Sequence, residues 1–195
     1  MELISDILYW ISTGLLVPVI VTLIVLFIRA LLLVGSFFGQ YLAIRKSSAQ
    51  VRKALTDVST DNIDVVLEKL PKKDNVLVIH YIKEMIKSRD NKAEVKRLLS
   101  EFEIEADKDL GTSKILTKLG PMMGLMGTLI PMGPALAGLA SGDIESMARN
   151  MQVAFATTVT GLVAAAIGYV TQQVKQRWYL QDMTNLEYLS DIIGK

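Results

Sequence analysis

The feature that most constrains this chain is an uncharged run near its start, ILYWISTGLLVPVIVTLIVLFI over residues 7–28. A helix of that length crosses a hydrocarbon core of about 30 Å, so the run is read as a first transmembrane span. A cleaved signal peptide is the competing reading. Against it, the preceding MELISD carries two acids and no Lys or Arg, and the run is longer than the apolar part of an ordinary signal. Past Arg29 the sequence is apolar again as far as Phe38. One straight helix over 7–38 would be roughly 48 Å long and would overshoot the membrane. Arg29 is therefore expected to snorkel at the cytoplasmic interface, with 30–44 continuing as a helix that buries its apolar face against protein. An Arg29 buried for function within the bundle is the alternative.

Two further apolar stretches, 119–140 and about 147–170, are separated by SGDIES and predict a tight helical hairpin in the membrane. Gly142, Asp143 and Glu145 supply its turn and helix-start chemistry. With 51% apolar residues, only 21% charged and a mean hydropathy of +0.36, the chain is too oily for a simple soluble globule. Charge placement predicts orientation. Sixteen Lys or Arg lie between residues 45 and 118, Lys175, Arg177 and Lys195 lie in the tail, and Arg149 stands alone on the other side. The positive-inside rule then puts the N-terminus outside and the C-terminus inside.

The expected architecture is all-α: 1–44 a first transmembrane helix and its cytoplasmic extension, 45–118 a cytoplasmic helical segment, 119–170 the transmembrane hairpin, and 171–195 a cytoplasmic C-terminal helix. In the cytoplasmic segment SAQVRKALTDV, DNIDVVLEKL and NVLVIHYIKEMIKSR place apolar residues three or four apart, with Pro71 between two of them. Asp61 and Asp90 are candidate N-caps, the second opening a helix that runs with little interruption into the second span. His80 is read as a packed or interfacial histidine rather than a metal ligand or pH sensor. The basic clusters RKSSAQVRK and LPKKD are read as solvated faces.

The two nearly cancelling charge totals, 21 basic and 20 acidic, leave no footprint for a nucleic acid. The absence of cysteine and the single histidine argue against a metal site or a cysteine or imidazole relay. No Ser with a His partner, membrane aspartate pair, HExxH or Gly-rich phosphate loop suggests an enzyme, and no cofactor is expected. What the hairpin does carry is two small-residue stripes. Gly120, Gly124, Gly127, Pro131, Ala135 and Gly138 lie on one face of the second span, and Ala154, Thr158, Gly161, Ala165, Gly168 and Gln172 on one face of the third. Stripes of this kind let helix backbones approach closely in lipid.

Thr128 and Thr158 fall near the middles of the two spans. A lone threonine in a membrane helix most often bonds the carbonyl of its own preceding turn. The cluster Thr157, Thr158 and Thr160 opposite Thr128 instead favours a polar surface lining a water-accessible seam or facing a partner. Neither span has an acid, a His or a Lys. If protons or sodium ions cross here, another chain must supply the titrating carboxylate. Pro131 and Pro134, with Gly133, are expected to kink or locally unwind the outer half of the second span, as a vestibule, a gating bend or an inert kink.

The stretches LTKLGPMMGLMGTLIPMG and VAFATTVTGLVAAAIGYV resemble the paired membrane helices of the MotA/TolQ/ExbB proton-channel family. Its signature places a proline and then GLLGT in one helix and AT-x-x-GLVAA in the next. Pro121 with Gly124 to Thr128, and Thr158 with Gly161 to Ala165, fit that signature, with Met126 for a leucine and Thr157 for the alanine. The resemblance covers roughly 112–180 at motif level, and the order of spans agrees over nearly the whole chain. It implies a homopentameric ring in a prokaryotic cytoplasmic (inner) membrane, enclosing two copies of a single-span partner like ExbD, TolR or MotB. The partner's membrane aspartate would carry the ion past ring threonines at Thr128 and Thr158, beside Thr157, and ion flow would drive mechanical work. The sequence departs from the family in two places: Val153 stands where ExbB-like chains have a glutamate, and Pro131 where GT-x-x-G places a glycine. A dry structural scaffold in the bilayer is the competing function.

Overall fold

The computed structural model describes residues 2–56 and 76–193. Among them all regular structure is helical: α1 (Glu2–Gly14), α2 (Leu16–Thr56), α3 (Leu77–Lys87), α4 (Lys92–Ser141) and α5 (Ile144–Ile193). Three helical stretches are long and apolar enough to cross a membrane: Asp6–Ile44, Lys92–Ser141 and Ile144–Ile193. At about 1.5 Å per residue the fifty-residue α4 and α5 are each roughly 75 Å long, so only their apolar parts match the bilayer.

The first apolar run is not one uninterrupted helix. It turns at Leu15, whose N–H bonds the carbonyls of both Ile11 and Ser12 at 3.1 Å. Pro18 explains the break: it has no N–H for the Gly14 carbonyl, and its ring crowds that carbonyl. The helix beginning at Leu16 then continues through Arg29 to Thr56.

The hairpin turn follows from its sequence. Gly142 has φ 78°, a left-handed conformation that costs glycine little. Its N–H bonds the Leu139 carbonyl at 3.2 Å and the Asp143 N–H bonds the Gly138 carbonyl at 2.8 Å, which closes the end of α4 with paired crossed bonds. Asp143 then caps α5, its Oδ1 accepting the Ser146 N–H at 3.0 Å. Glu145 sits in the first turn and pairs with Arg149 at 2.9 Å. At the start of α4 the cap is Asn91, not Asp90, because the Asn91 Oδ1 accepts the Glu94 N–H at 3.2 Å. Asp90 lies one residue upstream in the preceding turn. Asp61, Pro71, DNIDVVLEKL and LPKKD lie outside the described residues.

The chain divides into two compact units. One comprises 1–34 and 112–172. Here α2 buries Val19, Leu23, Leu26, Ala30 and Leu33, a stripe at intervals of four and three, against residues such as Leu116, Ile130 and Ala164. Away from that stripe, Val21, Ile24, Val25 and Ile28 are exposed.

The other unit comprises 35–111 and 173–195. Its core gathers Ile79, Ile82 and Met85 of α3, Phe102 of α4, and Leu186 and Leu189 of α5, each at most 1% exposed. α3 is amphipathic: Val78, Ile79, Tyr81, Ile82, Met85 and Ile86 are buried, whereas His80 is exposed with its ring edge-on to Tyr81. His80 is thus on the water side of the helix rather than packed in the core, because its neighbours at three- and four-residue spacing define the other face.

Candidate functional site: the threonine-bearing helix seam

In the first unit α4 and α5 meet along their small residues. A Cβ built on Gly120 would lie 2.6 Å from the Gly161 carbonyl oxygen, and one on Gly161 would lie 2.5 Å from the Gly120 oxygen. Both obstacles are backbone, so at this crossing neither helix has room for a methyl group. At Gly124 the approach is looser: a Cβ would meet the Thr158 carbonyl oxygen and Cα at 3.5 Å. Gly127 faces Thr157, whose Cβ and Oγ1 would each stand 2.6 Å from an added methyl. Ala154 and Ala165 are 2% and 8% exposed, completing the α5 side.

Gly168 carries the seam beyond the apolar stretch. A Cβ there would be 2.7 Å from the Leu116 Cβ and 2.9 Å from the Ser113 carbonyl oxygen, and Ser113 is itself fully buried. Sequence reading stopped the α4 stripe at Gly120, although Ser113 continues its spacing by seven residues. The signal was present in the period and hidden by the intervening charges Lys114 and Lys118.

The threonines occupy different environments. Thr157 is 8% exposed, and its hydroxyl donates within α5 to the carbonyl of Val153 at 3.0 Å or of Ala154 at 2.9 Å. Thr158 is half-buried. Its hydroxyl lies 3.2 Å from the Ala154 carbonyl and 3.5 Å from the Gly124 carbonyl across the seam. Thr128 is half-exposed and donates to the Leu125 carbonyl at 2.7 Å, while Thr160 donates to Ala156 at 2.8 Å. Among the described residues no hydrogen bond joins Thr128 to Thr158. Each hydroxyl has its proton engaged by a carbonyl and keeps oxygen lone pairs for another donor. The chain thus presents Thr128 and Thr158 with oxygen lone pairs at a partly open surface and packs Thr157 against Gly127.

α4 is helical without interruption through Pro121, Pro131 and Pro134, so no turn is unwound there. Pro121 is exposed, Pro134 half-buried and Pro131 almost wholly buried. Pro131 withholds the usual helical donor from the Gly127 carbonyl, one turn earlier at the tightest contact with Thr157.

A second polar cluster lies in the other unit. Lys175 is 2% exposed, and its Nζ is 2.8 Å from the Asp109 Oδ2, which also accepts the Tyr179 hydroxyl. Burial alone would raise the Asp109 pKa, but donation from Lys175, Tyr179 and Gln40, with the Lys175 charge, holds it below the ordinary carboxylate value. Tyr179 is pushed up, first by burial and then by its bond to Asp109. Sequence reading counted Lys175 as a charge at the membrane edge. The structure adds an internal ion pair that the spacing did not show, because Asp109, 66 residues earlier, comes to meet it.

The family model described as "MotA/TolQ/ExbB proton channel family" matches residues 62–187. A biopolymer transport protein ExbB homolog of Methanothermobacter thermautotrophicus is 30% identical over 91 residues, 42% of this chain and 33% of that protein. The matched part thus spans about a third of the relative's length. No solved structure matches the chain.

Proposed function

The chain belongs to the MotA/TolQ/ExbB proton channel family, and on that premise we propose that it is the ring subunit of an ion-driven membrane motor. In this reading the subunits form a homopentamer in a prokaryotic inner membrane, N-terminus outside, with 45–118 and 171–195 in the cytoplasm. The second and third spans face the centre and the first faces lipid. A single-span partner of the ExbD, TolR or MotB kind occupies the centre, and its membrane aspartate carries the proton.

The observation that carries this reading is the seam itself: Thr128 and Thr158 remain partly open while Thr157 is packed away, and the apolar parts of both spans lack any acid. A carboxylate moving past open hydroxyl oxygens can donate to them when protonated. When charged, it relies on water admitted beside them. A wholly apolar lining would hold the acid neutral by desolvation. Ion flow through repeated protonation and release then turns one component within the other.

The test substitutes Thr158 by Val, which removes the hydroxyl with little change of volume, and by Ser, which keeps it. With assembly unchanged, Thr158→Val stops ion-coupled work and Thr158→Ser largely retains it. Full work by Thr158→Val contradicts the reading. A structural scaffold is the second reading, favoured by the fact that all four threonine hydroxyls donate to helix carbonyls, as in a dry seam. It predicts that Val and Ser behave alike.

A further inference from the structure

The basic cluster RKSSAQVRK reads as a solvated face in sequence, yet α2 sets it on a surface of different character. From Leu16 to Thr56 this helix carries five basic residues and no acid, whereas the whole chain balances 21 cations with 20 anions. A helix face that meets only water commonly interleaves both signs. Because α2 is helical throughout, spacing fixes which residues share a face. Ile24, Ile28 and Leu31, then Phe38 and Leu42, follow one another at steps of three, four or seven residues, opposite the buried stripe, and each is more than half exposed. Positions 45 and 46 continue that face with Arg and Lys. Along it the chemistry changes in the order a bilayer does: aliphatic, then aromatic, then cationic.

At the aromatic level α5 adds Trp178. Its ring stacks on Phe37 with centroids 5.5 Å apart and planes 9° from parallel, and it lies 5.9 Å from the Tyr41 ring. Arg177, next to it in sequence, is exposed, whereas Lys175 is turned inward to Asp109. Trp and Tyr favour the headgroup level, which accommodates both an apolar ring and its polar N–H or O–H. Positions 45 and 46 lie roughly 5–6 Å further along the helix than Tyr41 and Leu42, within the thickness of a headgroup layer. Arg52 and Lys53 share the face but stand roughly 10 Å beyond that pair.

We propose that this end of α2, from Phe38 to Lys46, with Arg177 and Trp178 of α5, is a docking surface for anionic phospholipid. The exposed aromatic and aliphatic side chains meet the upper acyl chain, and the local positive charge, unopposed by any acid on α2, selects a lipid whose headgroup carries net negative charge. A zwitterionic lipid makes the same apolar contact without that attraction. The surface is distinct from the threonine seam and does not depend on it.

The experiment uses the full chain with Trp10→Phe, so that Trp178 is the one tryptophan left to emit. It is reconstituted into vesicles of phosphatidylcholine and phosphatidylglycerol at about 0.1 M salt, with brominated acyl chains on one lipid or the other. Bromine quenches a neighbouring indole, so the two arms report which lipid stands beside Trp178. Quenching is expected in both arms, and more strongly at equal mole fraction when phosphatidylglycerol carries the bromine. Arg45→Gln/Lys46→Gln is expected to weaken that preference by up to about fivefold per charge, and Arg52→Gln/Lys53→Gln to leave most of it. Absence of quenching in both arms overturns the lipid surface, since a second copy of this chain, another protein or water then covers Trp178. Equal quenching by the two lipids, an unchanged preference in Arg45→Gln/Lys46→Gln, or equal loss from both pairs also overturns it. Should Arg45→Gln/Lys46→Gln fail to insert, about 1 M salt applied to the parent chain decides the matter, because the Debye length falls from about 10 Å to about 3 Å. Loss of the preference then supports the surface, and an unchanged preference overturns it.

Discussion

At the scale of single residues, burial separates side chains of the same type into different tasks. Lys175 is the plainest case. Removing it leaves the Asp109 carboxylate, 36% exposed, without its cation, whereas replacing both partners by apolar groups leaves no charge behind. Lys175→Ala is expected to lower stability by about 2 kcal/mol, less than for a fully buried pair because Asp109 keeps some water. The double variant Lys175→Met with Asp109→Leu should lose less, as chemical denaturation of both variants measures. Asp109 also fixes an acid limit. Its pKa is depressed, so its contribution is complete above about pH 4 and is lost as pH falls through its folded value. None of this pairing was legible in the sequence, where a lysine beyond an apolar stretch reads as a topology signal. The threonines were legible as a group. What spacing cannot resolve is that Thr157 and Thr158, about 100° apart on a helix, divide into one packed and one half-open hydroxyl.

Among helices, close approach is the dominant constraint, and periodicity revealed most of it. The stripes Gly120, Gly124, Gly127 and Ala154, Gly161, Ala165, Gly168 follow from intervals of three and four; the structure sets Gly120 and Gly124 against Gly161, and Gly120 also against Ala165, while Gly127 meets Thr157 and Gly168 meets Ser113 and Leu116. Gly161→Ala should destabilise the hairpin by about 1–3 kcal/mol, since the obstacle is the Gly120 carbonyl and not a movable side chain. Gly39→Ala is the control: nothing lies within 4 Å of a Cβ there, and helix propensity favours alanine by up to about 1 kcal/mol. Thermal denaturation of both variants in one detergent checks the contrast. The turn at Leu15 was less legible, because a run rich in Leu, Ile and Val outweighs one proline in any hydropathy reading. The α4 cap was displaced by one residue for a similar reason: Asp90 and Asn91 are both good caps, and only the bond from the Glu94 N–H selects Asn91.

For the whole molecule, length and hydropathy made three membrane helices readable, and the motif around Gly124 to Thr128 and Gly161 to Ala165 made the family readable. Orientation and assembly are properties of the chain in its bilayer and among its copies, and the proposed account makes each measurable. The sequence has no cysteine, so a single Leu3→Cys can be labelled without background. Labelling from the outer face is expected, and labelling only from the cytoplasmic face contradicts the proposed orientation. The central claim is that open hydroxyls on the second and third spans serve an ion carried by a partner's carboxylate. Its most direct test is proton flux in vesicles containing the chain and its single-span partner, comparing the unmodified chain with Thr128→Val/Thr158→Val at equal assembly. The account predicts flux that depends on the partner and is lost in the double variant; equal flux from both would show that these threonines only pack.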